Sequence, residues 1–384
     1  MHFDLTEEQL SIKQAIKEIM EKEISPYVDT WETQEQIPTS IFVKLAEAGL
    51  FGMIIPEKYG GASVDYVSAG LAIEEIAKIS ASLSITISVH NSVACYPIYK
   101  YGTEEQKEKF LIPLTKGEKI GCFALTEPNA GSDVAAIKTK AIKKDDKYII
   151  SGTKSWVTNA GYGGIAIIQA VTESSVDGKK SINSFIVDTN SKGFIISKKE
   201  NKMGLKASLT NEVTLEDCEV PAQNLLGSEG MGIKIALDSL DGGRIGVAAQ
   251  AIGIAEAAID KAISYAKTRE AFGKTLADFQ AIQFMIADST TKIEAAKLLM
   301  LKAASLRNNN MRCTKEAAMA KLYASEMCND VTYKALQIFG AYGYSKEFPL
   351  ERYTRDARVT TIYEGTSEIQ RIVIIRELLK SINI

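Results

Sequence analysis

The chain has little of what would place it in several large classes. Among its 384 residues there are two histidines, His2 and His90, too few for a His-based metal site or a Ser or Cys triad. Five cysteines (Cys95, Cys122, Cys218, Cys313, Cys328) are scattered without a C-x-x-C pair, a pattern of free thiols in a reducing compartment rather than a disulfide framework. Only eight prolines and no low-complexity tract exclude collagen-like and disordered classes. Charge of neither sign dominates: 45 Lys+Arg face 48 Asp+Glu, a formal net of -3, so no overall field gathers nucleic acid or an anionic membrane. No window offers roughly 18 uncharged apolar residues, so no membrane span is expected. The start, MHFDLTEEQLSIKQ, lacks the basic and apolar regions of a secretory signal, and the expectation is a cytoplasmic location. Nucleotide fingerprints are missing too. There is no G-x-G-x-x-G between a strand and a helix, and FGKT at 272–275 lacks the upstream glycine of a phosphate loop, so a nucleotide cofactor needs another device.

What is present is an ordinary globular balance, 46% hydrophobic and 24% charged, in a chain long enough for two or three cores at about 150 residues each. Periodicity divides it into three domains, 1–118, 119–225 and 226–384. The first is helical, opened by a capping box at Thr6 and Gln9 and carrying a second at Thr103 and Gln106. Residues 81–97 are apolar or small nearly all round, the mark of a helix buried on every side or lining a pocket. The second domain holds short β-branched runs such as GCFALT, KYIISGT, GIAIIQAV and NEVTLEDCEV separated by turn residues, which suggests a small antiparallel barrel or sandwich. The third reads as helices at 230–268, 278–307, 314–340 and 367–381, most economically a four-helix bundle.

Several segments could carry chemistry. In FALTEPNAGSD (123–133) a strand runs into a turn that can offer backbone N–H groups and the hydroxyls of Thr126 and Ser132, or can be a plain loop. KSWVTNAG (154–161) sets Trp156 near Thr158, as core or as the wall for a flat ring. DGGR (241–244) puts two glycines inside a helix, where each costs about 1 kcal/mol against alanine, so a neighbour or ligand approaches closely there. In IYEGTSEIQR (362–371), Glu364 precedes a helix capped by Thr366 or Ser367; beside Tyr363 and Ile362 a carboxylate can be desolvated towards the range of a general base.

Taken in order, FALTEPNAGSD, KSWVTNAG, KMGLKAS, DGGR, TREAFGK with DFQAIQF, QIFGAYGY and RDARVTTIYEGTSEIQR resemble the acyl-CoA dehydrogenases, and among them the short-chain, butyryl-CoA dehydrogenase-like branch. The resemblance implies an α+β multidomain fold with an N-terminal helical domain, a middle small antiparallel β-barrel domain and a C-terminal four-helix bundle. It implies FAD, with Phe123, Leu125, Thr126, Ser132, Trp156 and Thr158 on the flavin side. Arg269, Phe272, Gln280, Gln337 and Gly340 would reach the cofactor across a subunit interface, and Thr366 and Glu368 would complete the adenine side. A homotetramer built from dimers follows from the same likeness. Glu364 would take the α-proton while the β-hydride passes to the flavin, giving trans-2-enoyl-CoA and reducing an electron-transfer flavoprotein. Asp241, Arg244, Ser132 and Gly365 would contact the acyl-CoA substrate. One branch of the family carries its base just before the bundle arginine; that position is Gly243 here, which leaves Glu364 as the base. The helix at 81–97, with Val89, His90 and Val93, would line the pocket floor and favour short straight or methyl-branched chains, His90 being a buried, satisfied histidine. An acyl-CoA oxidase and a nucleic-acid-associated flavoprotein of the same fold are the alternatives. Lysines at 138–147 and 198–206 speak for the latter, and an acidic pI near 5.8 speaks against it.

Overall fold

The computed structural model describes residues 4–173 and 180–381. Its helical N-terminal part contains α1 (Glu7–Ile19), α2 (Val28–Gln34), α3 (Ser40–Glu47), α4 (Tyr66–Ile79), α5 (Ala81–Val89), α6 (Tyr96–Tyr101), α7 (Glu104–Gln106) and α8 (Ile112–Thr115). Both expected capping boxes form: the Thr6 hydroxyl accepts from the Gln9 N–H, the Gln9 side chain returns to the Thr6 N–H, and Thr103 with Gln106 repeats the arrangement. Three π-helical turns, Met20–Ile24, His90–Cys95 and Lys107–Leu111, interrupt this zone among the described residues. Each ends two residues before a proline, Pro26, Pro97 and Pro113. Proline has no N–H to donate and its ring collides with the carbonyl four residues back, so a widened turn lets the helix pass. Through such a turn α5 runs into α6, and α5 is buried on every side as its composition predicts.

The middle part is one sheet of eight strands: β1 (Ile120–Ala124), β2 (Lys140–Lys144), β3 (Lys147–Thr158), β4 (Gly164–Glu173), β5 (Lys180–Asp188), β6 (Phe194–Lys199), β7 (Thr210–Pro221) and β8 (Leu225–Leu226). The order is β6-β7-β3-β2-β4-β5-β8, with β1 on β4. Pairings are antiparallel except β1 with β4 and a single bridge between β2 and β4, which are parallel. The connection from β1 to β4 is long enough to hold the β2–β3 hairpin, and a long crossover is what a parallel neighbour requires.

The C-terminal part is built on α9 (Gly232–Thr268), followed by a hairpin of β9 (Glu270–Ala271) and β10 (Lys274–Thr275), then α10 (Gln280–Asn308), α11 (Thr314–Phe339), α12 (Ala341–Tyr344), α13 (Leu350–Val359) and α14 (Ser367–Ser381). The four long helices stand within two residues of their expected ends. Ala248, Ala251, Ala255, Ala258 and Ala262 of α9 are fully buried, and small residues bring the N-terminal helices close. A Cβ on Gly253 would lie 2.2 Å from the Glu74 carbonyl oxygen, and one on Gly246 2.2 Å from the Ser88 hydroxyl. No helix among the described residues is long and apolar enough to cross a membrane.

Candidate active site

The loop between α13 and α14 carries Glu364 with φ +50° and Gly365 with φ +93°. Left-handed backbone is easy for glycine and costs on the order of 1–2 kcal/mol for glutamate, so the surroundings must hold it. Gln370 of α14 donates from its side chain to the carbonyls of Glu364 (3.1 Å) and Gly365 (2.9 Å), and Lys321 of α11 donates to the Gly365 carbonyl at 2.8 Å. Tyr363 hydrogen-bonds Gln250 of α9, and the Thr366 hydroxyl accepts from the Ile369 N–H as the cap of α14. Three helices therefore fasten one short loop.

This loop turns the Glu364 carboxyl onto the bare face of α9 at Gly243. A Cβ there would sit 1.9 Å from the carboxyl oxygen Oε2, so any other residue at 243 would displace the acid. Both carboxyl oxygens are buried and have no hydrogen-bond partner among the described residues. Burial pushes the Glu364 pKa up to about 7, against the pull of Lys321 and then of Arg244. A carboxylate titrating near neutrality is suited to take and release a proton at ordinary pH. Next to Gly243 in the chain, Arg244 Nη1 donates to Asp241 at 2.7 Å, and the Thr314 hydroxyl donates to the other Asp241 oxygen at 2.6 Å. Arg244 Nε is buried without a partner among the described residues.

On the sheet side, the turn after β1 is tied down from beneath. Glu127 accepts from the N–H groups of Lys138 (2.7 Å) and Thr139 (2.9 Å) and from the Lys154 ammonium (2.8 Å), which also reaches the Leu125 carbonyl at 3.1 Å. Lys154 is fully buried and burial lowers its pKa to about 8 despite Glu127. The Leu125 side chain packs with Ala130 and Ile137, and Leu240 of α9, the neighbour of Asp241, packs against them. Phe123 is half-buried where several cores meet, Thr126 is half-buried and Ser132 is exposed. A register shift in β3 between Lys154 and Val157 forms a bulge at Trp156, whose φ is +59° and whose indole is 59% exposed. Bulges re-aim side chains, and here one presents a flat apolar face two residues before half-buried Thr158.

The remaining expected residues do not join this cluster. Arg269 caps α9, about 37 Å along that helix from Arg244 at ~1.5 Å per residue, and it is exposed along with Gln280, Gln337 and Gly340. Tyr265 stacks on Phe339 at 4.2 Å, which brings the ends of α9 and α11 together. Phe272, in the hairpin turn, is 97% exposed, and nothing lies within 4 Å of a Cβ on Gly340. Thr366 is half-buried at the Glu364 end and Glu368 is exposed in the first turn of α14.

His90 is buried and satisfied as expected. Its Nδ1 accepts from the Gly121 N–H at 2.9 Å, its Nε2 meets the Phe51 carbonyl at 3.0 Å, and burial pushes its pKa down to about 4. A cavity of about 50 Å³ against Gly242 and Gly246 is lined by Ser88, Ser92 and Tyr96, not by Val89, His90 and Val93. Much of the lysine charge is spent within the chain: Lys199 and Lys206 pair with Glu35, Lys198 with Glu200 and Lys147 with Glu219. The sequence reading missed Glu127, Lys154, Lys321 and Gln370, whose partners are remote or lie within an unforeseen loop geometry.

Comparison with known proteins matches three family models in order: acyl-CoA dehydrogenase, N-terminal domain, at residues 6–118; middle domain at 122–218; and C-terminal domain at 230–379. A short-chain specific acyl-CoA dehydrogenase of Clostridium acetobutylicum is 45% identical over 374 residues, 97% of this chain and 98% of that protein. The solved structure of butyryl-CoA dehydrogenase from Megasphaera elsdenii has a TM-score of 0.96 at 45% identity, covering 99% of this chain and 100% of that one. A chain in a structure described as the electron transferring flavoprotein of Acidaminococcus fermentans has a TM-score of 0.96 at 47% identity, with 99% and 100% covered.

Proposed function

This chain belongs to the acyl-CoA dehydrogenase family and is an enzyme of that type, and we propose that it oxidises a short-chain acyl-CoA to the trans-2-enoyl-CoA with Glu364 as base. The observation that carries the assignment is the Glu364 carboxyl, buried, without a partner among the described residues and seated on Gly243. Glu364 takes the proton as the α C–H bond breaks, and its own backbone N–H, free of a partner among the described residues, donates to the thioester carbonyl as negative charge develops there. The Asp241–Arg244 pair and Ser132 orient the thioester arm, and Gly365 leaves room for its approach.

The residues fit FAD. A bulged, outward Trp156 offers the wall that a flat ring needs, the Ser155 N–H beside it donates to the Thr126 carbonyl at 2.9 Å, and Thr126, Ser132 and Thr158 supply hydroxyls, with Phe123 packed against the Leu125 cluster. When bound, FAD supplies the two-electron acceptor for the hydride leaving the β-carbon. Exposed Arg269, Phe272, Gln280, Gln337 and Gly340 suit the cofactor of a neighbouring subunit, in a homotetramer of paired dimers, and Thr366 and Glu368 suit its adenine side. The electrons then pass to an electron-transfer flavoprotein. Five buried, unpaired cysteines fit a reducing, cytoplasmic setting.

The test is an anaerobic visible spectrum of the purified protein before and after butyryl-CoA, isobutyryl-CoA and octanoyl-CoA. Butyryl-CoA is expected to bleach a flavin band fastest. Preferential bleaching by isobutyryl-CoA would move the substrate to methyl-branched chains, and a band that none of the three bleaches would overturn the short-chain reading.

A further inference from the structure

Buried lysines in proteins are nearly always paired with a carboxylate, and Lys321 departs from that rule. It is fully buried in α11, its ammonium makes no direct ion pair among the described residues, and it donates 2.8 Å to the carbonyl of Gly365, the residue after the base. We propose that Lys321 is the positioning residue of this site, clamping the left-handed Glu364–Gly365 backbone so that the carboxyl faces Gly243, and supplying the positive charge that favours its carboxylate form. The proposal rests on the reading of Glu364 as base.

The surrounding charges single out Lys321 for this role. On α9, Arg244 faces the base but is engaged by Asp241 at 2.7 Å. On α14, Glu368 is exposed, and on α11, Glu326 pairs with Arg371 at 2.7 Å; both act on Lys321 more weakly than Glu364 does. In the loop itself Tyr363 is neutral, its pKa raised by burial. Lys321 is the foremost charge opposing the upward push of burial on Glu364, and Glu364 is in turn the foremost charge acting on Lys321. Gln370 shares the backbone clamp but brings no charge, so the two contributions can be separated by substitution.

The experiment is the pH dependence of anaerobic flavin reduction by butyryl-CoA in the wild type, Lys321→Gln, Lys321→Met and Lys321→Arg, with flavin content as the check on folding. Removing the cation raises the pKa of the base, so the acid limb of the Gln variant is expected to move up by roughly one unit with its high-pH rate kept. Below that limb its rate falls about tenfold relative to wild type. The Met variant loses the hydrogen bond as well, and its high-pH rate falls too. Arginine keeps the charge, and its limb stays at the wild-type position. A folded Gln variant with an unmoved limb would overturn the proposal, as would a moved limb in the Arg variant if the neutral variants do not fold. A fully active Glu364→Gln protein would instead remove the base assignment beneath it.

Discussion

The two ends of α9 are built on opposite principles. Around Asp241 and Arg244 the chain closes on itself: side chains are buried, carbonyls are claimed by Lys321 and Gln370, and both oxygens of the Glu364 carboxyl are left without a partner among the described residues. Around Arg269 the chain is open, with Phe272 at 97% exposure and open space where a Cβ on Gly340 would stand. The Phe272 ring meets Phe279 edge to face, with ring centroids 6.3 Å apart. On the reading of Glu364 as base, the difference teaches that a single chain holds the groups for proton abstraction by itself, whereas the far end leaves its side chains uncovered.

The sharpest way to break that comparison is to disarm the closed end. Glu364→Gln should keep the fold and the flavin and lower the rate of flavin reduction by butyryl-CoA by roughly 10³–10⁴-fold, near the upper range for a general base. Next comes Lys154→Met, which strands Glu127 as a buried, unpaired charge. It should cost about 3–5 kcal/mol in denaturant unfolding and weaken flavin retention by freeing the Leu125 turn. Gly243→Ala tests the seat itself: a Cβ would fall 1.9 Å from Oε2, and a displacement of about 1 Å should lower turnover about 10²-fold while flavin content holds.

Smaller effects follow from the proton. In the folded chain burial raises the Glu364 pKa from 4.5 to about 7, so the native state binds this proton more tightly than the unfolded state. Its contribution to stability is therefore whole below the ordinary value and is lost as the pH rises to about 7. Glu364→Gln escapes that loss, and above pH 7 it should be more stable than wild type by roughly 3 kcal/mol, with the gain vanishing in unfolding curves measured in acid. At the open end, Phe272→Ser should change the stability of the separated chain by less than about 0.5 kcal/mol. Its signature should instead be flavin loss on dilution; unchanged retention would mean that nothing docks there.

Much of this was legible in the sequence. Capping boxes marked two helix starts, the 3.6-residue period marked the long helices, and runs of Val and Ile with turn residues marked the strands. The glycine pair at 242–243 announced a close approach, although only the fold shows that the visitor is Glu364. The short helix α13 escaped notice because LERYTRDARV is polar on most sides and is held by tertiary contacts such as buried Tyr353 and Ala357. Lys154 and Lys321 escaped for a related reason: a lysine in a strand run or on a helix reads as solvated, and the partners that bury them lie 27 and 44 residues away. Nor does any composition rule announce that Trp156 and Glu364 adopt left-handed backbone.

The π turns ahead of Pro26, Pro97 and Pro113 carry one consequence for how this chain tolerates change in length. A π turn holds one residue more than the α-helical path needs, so everything after it is rotated by about 100° relative to what comes before. Across His90–Cys95 that phase lets Ser88 meet Gly246 while Tyr96 and Tyr101 both donate to Asp238. Deleting a single residue there would turn the helix that follows by about 100° and swing both hydroxyls off their acceptor. The prolines thus mark the points where the helical zone counts its residues and where a gap of one would throw it out of step.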